Sequence, residues 1–167
     1  TQVVTVVPYF NNFIKDIPDV NSLAKINEQK LLKYWEGLGY YSRVRNLKKT
    51  AQIIKKIFKG RLPKTIEELK LLPGVGEYTA NAIMAIGFNK PYIPLDGNIE
   101  RVIKRLLNLK LISEVSKENL ISKKKIFGTS VRASDYAQAL MELGALICRP
   151  KNPLCGQCPL TKNCKSF

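Results

Sequence analysis

A chain of 167 residues in which 45% of the side chains are apolar can bury a core of its own, which excludes a disordered polypeptide. Its 28 lysines and arginines against 13 acids leave a net charge of +15, and the simplest partner for that excess is a polyanion, with nucleic acid ahead of an anionic membrane surface. No apolar run approaches the roughly 18 residues that span a bilayer, no lipidation signal is present, and the absence of histidine removes Ser/His/Asp triads, Cys/His dyads and every histidine-containing metal site.

The chain starts on Thr1 without an initiating Met and reads as a piece of something longer. Val3 to Val7 are rich in β-branched residues, which favour a strand by propensity, although so short a segment is equally open to a helix. Asn27 is placed to cap a helix carrying Leu31, Leu32, Trp35 and Leu38 on one side. The next helix, from about Arg43 to Gly60, spaces Val44, Leu47, Ala51, Ile54 and Phe58 on one face and sets Lys48, Lys49, Lys55, Lys56 and Lys59 on the other, a solvated face by default. Thr65 and Glu68 form a capping box for a short helix reaching Leu72, and a second helix runs from Glu77 to about Phe88 beyond Pro73-Gly74-Val75-Gly76. Asn89-Lys90-Pro91 ends it, Tyr92 to Leu95 make an apolar connector, and Ile99, Val102, Ile103 and Leu106 mark a helix behind Asp96-Gly97. Ser116 and Ser134 are candidate caps of two later helices, and the Lys123-Lys124-Lys125 run reads as solvent-facing. The pattern is all-α.

Two local signals carry chemistry. In the hairpin Leu72-Pro73-Gly74-Val75-Gly76 the glycines allow backbone N–H groups to face outward, and the following helix adds its positive end, an arrangement suited to gripping phosphate without reading bases; an ordinary interhelical turn is the other reading. The second signal is Cys148, Cys155, Cys158 and Cys164, spaced C-x6-C-x2-C-x5-C within the last twenty residues and preceded by 147 residues without a cysteine. Disulfides require an oxidising compartment, which no secretory signal supports, and zinc favours two separated C-x2-C pairs where only one is present. A four-thiolate iron–sulfur cluster suits the spacing better, with zinc still open.

The segments LPGVGEYTAN, PLDGNIERV and YAQALMELGALIC, followed by the cysteines, resemble the helix-hairpin-helix DNA glycosylases related to endonuclease III, and the motif order covers nearly the whole chain. Thr1-Gln2-Val3 to Phe10, Trp35-Glu36-Gly37-Leu38-Gly39-Tyr40-Tyr41 and Asp96-Gly97-Asn98 are similar to the MutY-type adenine DNA glycosylases of that superfamily. Endonuclease III has a Schiff-base lysine where this chain has Tyr78, and Asp-Thr-His where it has Asp96-Gly97-Asn98, so a lysine-type lyase is not expected. The resemblance implies a six-helix barrel domain over residues 1–92, with the helix-hairpin-helix at about 65–88. It also implies a [4Fe–4S] cluster domain over 93–167, whose loop 148–164 is ligated by the four cysteines and presents Arg149 and Lys151 to DNA phosphate.

It further implies base excision repair, with hydrolysis of the N-glycosidic bond of adenine opposite 8-oxoguanine or guanine in double-stranded DNA. Asp96 then stabilises the oxocarbenium ion or attacks it, with Tyr78 and Asn98 orienting the reacting groups. Leu38 and Tyr40 wedge beside the lesion, Thr1 and Gln2 lie against the lesion strand, Gly74, Val75 and Gly76 hold phosphate, and Gln138 contacts adenine. Ala137 replaces an asparagine common in the family. Removing a purine takes two carboxyl groups, and by resemblance the acid is a glutamate just upstream of Thr1, so this chain alone is expected to excise adenine poorly; the C-terminal lesion-recognition domain is absent as well. The expectation is a monomer off the membrane, in the bacterial cytoplasm with the nucleoid or in a eukaryotic nucleus or mitochondrion. Two rivals remain, a thymine glycosylase for T/G mismatches and a non-catalytic DNA-binding module of the same fold.

Overall fold

In a computed structural model, which describes residues 3–110 and 132–167, all regular structure among those residues is helical. Thr1, Gln2, Ser116 and the Lys123 to Lys125 run lie outside the described residues. By internal packing the chain divides into two compact units, Thr1–Val75 and Gly76–Phe167.

Unit 1 contains α1 (Val3–Asp16), α2 (Val20–Lys25), α3 (Glu28–Lys33), α4 (Tyr41–Ile57) and α5 (Ile66–Lys70). The valine-rich opening is the start of α1, with Pro8 inside the helix. Strand propensity loses because propensity differences are worth less than about 0.7 kcal/mol per residue, whereas helical spacing brings Phe13 against the core built from Ile17, Leu23, Leu31, Val44 and Ala51. Short helices need good ends. Asp19 Oδ1 accepts from Ser22 N–H at 2.7 Å, and Asn27 Oδ1 accepts from Gln29 and Lys30 N–H, as expected for Asn27. The helix after Asn27 nevertheless stops at Lys33, so Trp35 and Leu38 fall in the connecting loop rather than on its face. α2 and α3 pack on α4, whose fully buried Val44 and nearly buried Ala51 and Ile54 were legible from periodicity. Thr65 Oγ1 accepts from Glu68 N–H and donates to Glu68 Oε2 at 2.9 Å, which ties off the start of α5.

Unit 2 contains α6 (Glu77–Ala82), α7 (Gly97–Leu107) and α8 (Ala133–Glu142). α6 continues into a π-helical turn at Ile83–Gly87, and α8 into another at Leu143–Ile147. Ile99, Val102 and Ile103 of α7 meet Leu140 of α8 in the core, with Ile93 and Leu95 of the connector packed around them. Ser134 does not cap α8: it lies inside the helix, and Arg132 holds the N-cap position. Its N–H, one of the orphan donors of the first turn, is satisfied by Asn89 Oδ1 at 3.0 Å, so a residue 45 positions away performs the capping.

Candidate nucleic-acid interface and active site

The loop between α3 and α4 in unit 1 is wound tightly. Gly37 and Gly39 have φ of +89° and +73°, and Tyr40, the N-cap of α4, follows at φ +50°, ψ +46°. A left-handed conformation at a tyrosine costs on the order of 1–2 kcal/mol, so the surrounding structure must impose it. Trp35 Nε1–H donates to Gly39 O at 2.9 Å, and a Cβ on Gly37 would lie 3.0 Å from Tyr9 Oη. The result is a Tyr40 ring held out in solvent, 74% exposed, with the Arg43 guanidinium 5.1 Å from its centroid, while Leu38 is half-buried. Rigid presentation of an aromatic ring beside a cation suits stacking on a base.

The hairpin turn at the end of unit 1 is clamped to α4. Thr50 Oγ1–H donates to Pro73 O at 3.0 Å, Val75 N–H closes the turn on Leu72 O, and Gly74 has φ +79°. A Cβ at Gly74 would stand 3.1 Å from Asn46 Cβ and Nδ2. Gly74→Ala therefore adds left-handed strain and a clash together, and urea unfolding is expected to show a loss of about 1–2 kcal/mol; an unchanged midpoint would refute this reading of the turn. Gly76 is exposed and is the N-cap of α6 at the start of unit 2, with Tyr78 on the first turn and 45% exposed.

Asp96 is the N-cap of α7, and its Oδ1 accepts from Ile99 N–H at 2.7 Å. Capping fixes one carboxylate oxygen and hence the rotamer of the side chain. Asn98, two residues on, is fixed through Oδ1, which accepts from Arg101 Nη2–H at 2.9 Å. The same guanidinium donates to Gly97 O, to Gly144 O at 2.6 Å and to Cys148 O at 2.7 Å. Gly144 has no room for a side chain, since a Cβ there would lie 2.7 Å from Asn98 Cβ. One arginine thus joins the Asp96-Gly97-Asn98 turn to the first cysteine.

Arg105, one turn along α7, donates to Arg149 O at 2.7 Å and Pro150 O at 3.0 Å, and reaches Cys148 Sγ at 3.5 Å. These two arginines escaped the sequence reading. Their only local signal is the spacing Asn98, Arg101, Arg105 along one edge of an amphipathic helix. Arg149 and Lys151 themselves are exposed. Gln138 is exposed on α8, where its Nε2–H bonds to Ser134 O and Oγ, while neighbouring Ala137 is buried.

The four cysteines are free and half-buried, and all four line a single cavity of about 170 Å³ together with Arg105, Ile147, Pro153 and Thr161. Thr161 Oγ1 bonds to Cys155 O and Cys158 O, and Lys165 N–H to Leu106 O, which pins the loop back onto α7. Among the described residues no three Cys, Asp or Glu side chains gather closely enough to hold one metal ion. Four thiols around a common apolar-walled space, with the Arg105 guanidinium 3.5 Å from Cys148 Sγ, fit a group offering a separate iron to each cysteine.

Among known proteins, the chain is 43% identical over 171 residues to the adenine DNA glycosylase of Buchnera aphidicola subsp. Baizongia pistaciae, matching 100% of this chain and 48% of that protein. It is 38% identical over 173 residues to the Homo sapiens adenine DNA glycosylase, matching 99% of this chain and 31% of that one. The chain spans about half the length of the first of these relatives and about a third of the second. A solved thermostable thymine-DNA glycosylase superposes with a TM-score of 0.81 at 27% identity, over 97% of this chain and 76% of that one. A trapped endonuclease III–DNA covalent intermediate superposes with a TM-score of 0.79 at 23% identity, over 99% and 77%, a likeness of fold. Residues 1–126 match the family model described as HhH-GPD superfamily base excision DNA repair protein. The chain belongs to the HhH-GPD superfamily of base excision DNA repair proteins.

Proposed function

We propose that this chain is part of an adenine DNA glycosylase that hydrolyses the N-glycosidic bond of adenine opposite 8-oxoguanine or guanine in duplex DNA. The observation that carries the reading is Asp96, a carboxylate fixed by the first turn of α7 beside an anchored Asn98, in a chain whose relatives along its full length are adenine DNA glycosylases. Tyr78 in place of an amine nucleophile supports hydrolysis over a Schiff-base lyase.

The reaction breaks the bond from C1′ to the adenine nitrogen. The electron pair leaves with the base, which must be protonated, and water adds to C1′ with loss of a proton. Asp96 faces the positive charge that develops on the sugar, as electrostatic stabiliser or as nucleophile, while Asn98 and Tyr78 orient the reacting groups. The acid that protonates adenine is assigned to a segment preceding Thr1. Flipping the base from the stack costs a few kcal/mol, less at a mispair; Tyr40 and Leu38 fill the gap, Gln138 contacts adenine, and Thr1 and Gln2 lie on the lesion strand.

Backbone N–H groups of Gly74, Val75 and Gly76 grip phosphate, and Arg149 and Lys151 add charge. Residues 1–92 act as the barrel domain, and 93–167 as the domain in which Cys148, Cys155, Cys158 and Cys164 hold a [4Fe–4S] cluster. A cluster bound there would crosslink the segments of the 148–164 loop through the four cysteines and supply no step of the hydrolysis. The protein works as a monomer on DNA, in the cytoplasm of a bacterium or in a eukaryotic nucleus or mitochondrion; among the described residues no helix is long and apolar enough to cross a membrane.

A single-turnover assay on duplexes with A opposite 8-oxoguanine, A opposite G and T opposite G tests the reading. The complete protein is expected to release adenine from the first two, and residues 1–167 alone to bind them but react about 10²-fold or more slowly, the usual worth of a general acid. Release of thymine from T/G with adenine untouched would instead identify a thymine glycosylase, the activity named for the superposing thermostable enzyme. Binding without any base release by the complete protein would leave only a DNA-binding module.

A further inference from the structure

The core-facing side of α4 is used up by Val44, Thr50, Ala51 and Ile54. On the opposite side Lys49, Gln52, Ile53, Lys56 and Ile57 follow one another at helical spacing, and with Pro73 they line a groove of about 410 Å³. On this face, away from the buried residues of α4, Ile53 is half-buried and Ile57 is 64% exposed. Among the described residues the charges lining the groove are the two lysines, and α4 from Tyr41 to Ile57 contains no Asp or Glu. An aliphatic floor between cationic rims is the mark of an interaction surface.

Nucleic acid is a poor occupant, because a phosphate backbone matches Lys49 and Lys56 but gives Ile53 and Ile57 nothing apolar to bury against. We propose that the face of α4 formed by Lys49, Gln52, Ile53, Lys56 and Ile57, with Pro73 as its wall, docks an acidic amphipathic segment of a partner protein. Aliphatic side chains of the segment cover Ile53 and Ile57, and its carboxylates pair with Lys49 and Lys56. A groove this size accepts a few side chains, which points to a weak, exchangeable contact in the range of about 10–100 μM. The docking role requires no glycosylase activity of the chain.

Titration of the isotope-labelled full chain with a synthetic helical peptide carrying Leu and Glu on adjoining faces tests this by amide chemical shifts. The expected result is a set of shifts at Gln52, Ile53, Lys56 and Ile57, at least tenfold weaker binding by a scrambled peptide of the same composition, and at least tenfold weaker binding to Ile57→Asp and to Lys56→Glu. Both positions are solvent-facing, so both variants should melt like the parent, and Lys49→Glu provides a third test. Affinity of the variants for an undamaged DNA duplex should stay within about twofold of the parent at fixed salt. The proposal is overturned if the peptide leaves α4 unshifted, if the variants bind it like the parent, or if Lys56→Glu costs tenfold in duplex affinity, which would make this face part of the DNA track.

Discussion

Asp96→Asn in the complete protein is expected to lower the single-turnover rate of adenine release by about 10³-fold or more while leaving thermal stability nearly unchanged. The two halves of that expectation come from the two oxygens of the side chain. Oδ1 accepts Ile99 N–H at 2.7 Å, a bond an asparagine amide oxygen makes equally well, and Asn and Asp rank together as N-caps, so the helix loses no more than about 0.5 kcal/mol. The charge, however, is gone. A preorganised group facing charge that develops in the transition state is typically worth 10²–10³-fold even as a neutral donor, and a full carboxylate against an oxocarbenium ion is worth at least as much. Asp96→Ala separates the roles from the other direction, adding about 1 kcal/mol of lost capping to the lost chemistry. If Asp96→Asn retains parental activity, Asp96 is only a cap and the proposed active site is wrong.

The second large effect is on stability. Arg101→Leu removes a guanidinium that donates to Gly97 O, Asn98 Oδ1, Gly144 O and Cys148 O, joining the α7 N-terminus to the turn that closes α8 and to the first cysteine. Charge-assisted hydrogen bonds are worth about 1.5–3 kcal/mol each, and leucine leaves the buried Gly144 carbonyl and the half-buried acceptors of Asn98 and Cys148 without this donor, so a loss of about 3–5 kcal/mol is expected. For a chain of this size that lowers the melting temperature by roughly 10 °C. Arg101→Lys should recover less than half of it, because an ammonium is a single point of charge and cannot hold four acceptors in divergent directions. Release of Asn98 should also reduce adenine release by more than the unfolded fraction explains, and, under the proposed cluster assignment, displacement of Cys148 O should lower the iron bound per chain. A melting temperature within 2–3 °C of the parent would show that the bonds to Arg101 carry little energy.

Features whose cause lies within a few residues were legible in the sequence. Asn27 and Thr65 act as caps because the bonds involved span two or three positions. The buried stripe of α4 and the Ile99, Val102, Ile103 stripe of α7 follow from the 3.6-residue period, and the hairpin follows from a Gly74 that no other residue replaces without strain. The failures share the opposite cause. Ser134 reads as a cap, but Asn89 bonds its N–H from elsewhere in the chain; Trp35 and Leu38 continue the pattern of α3, but the helix ends at Lys33 and the loop beyond it is wound through Gly37 and Gly39 at positive φ. Val3 to Val7, which residue type left open between strand and helix, take helical form because Phe13 is held by the unit 1 core, which propensity at positions 3–7 does not contain.

By itself the sequence determined the all-helical pattern, the positive charge, the glycine hairpin, the carboxylate in Asp96-Gly97-Asn98 and the grouping of four thiols, since each is written in residue type and spacing. Only the tertiary structure decided how these are held. Arg101 reaches Cys148 across 47 positions and Arg105 reaches Arg149 across 44, while Gly144 matters because Asn98 packs against its missing side chain and Tyr40 because a loop forces its ring outward. A helix places an arginine without saying what it will meet; which carbonyls converge on it depends on how distant segments pack, and that is fixed by the burial of both cores together with the demand that each buried acceptor find a donor.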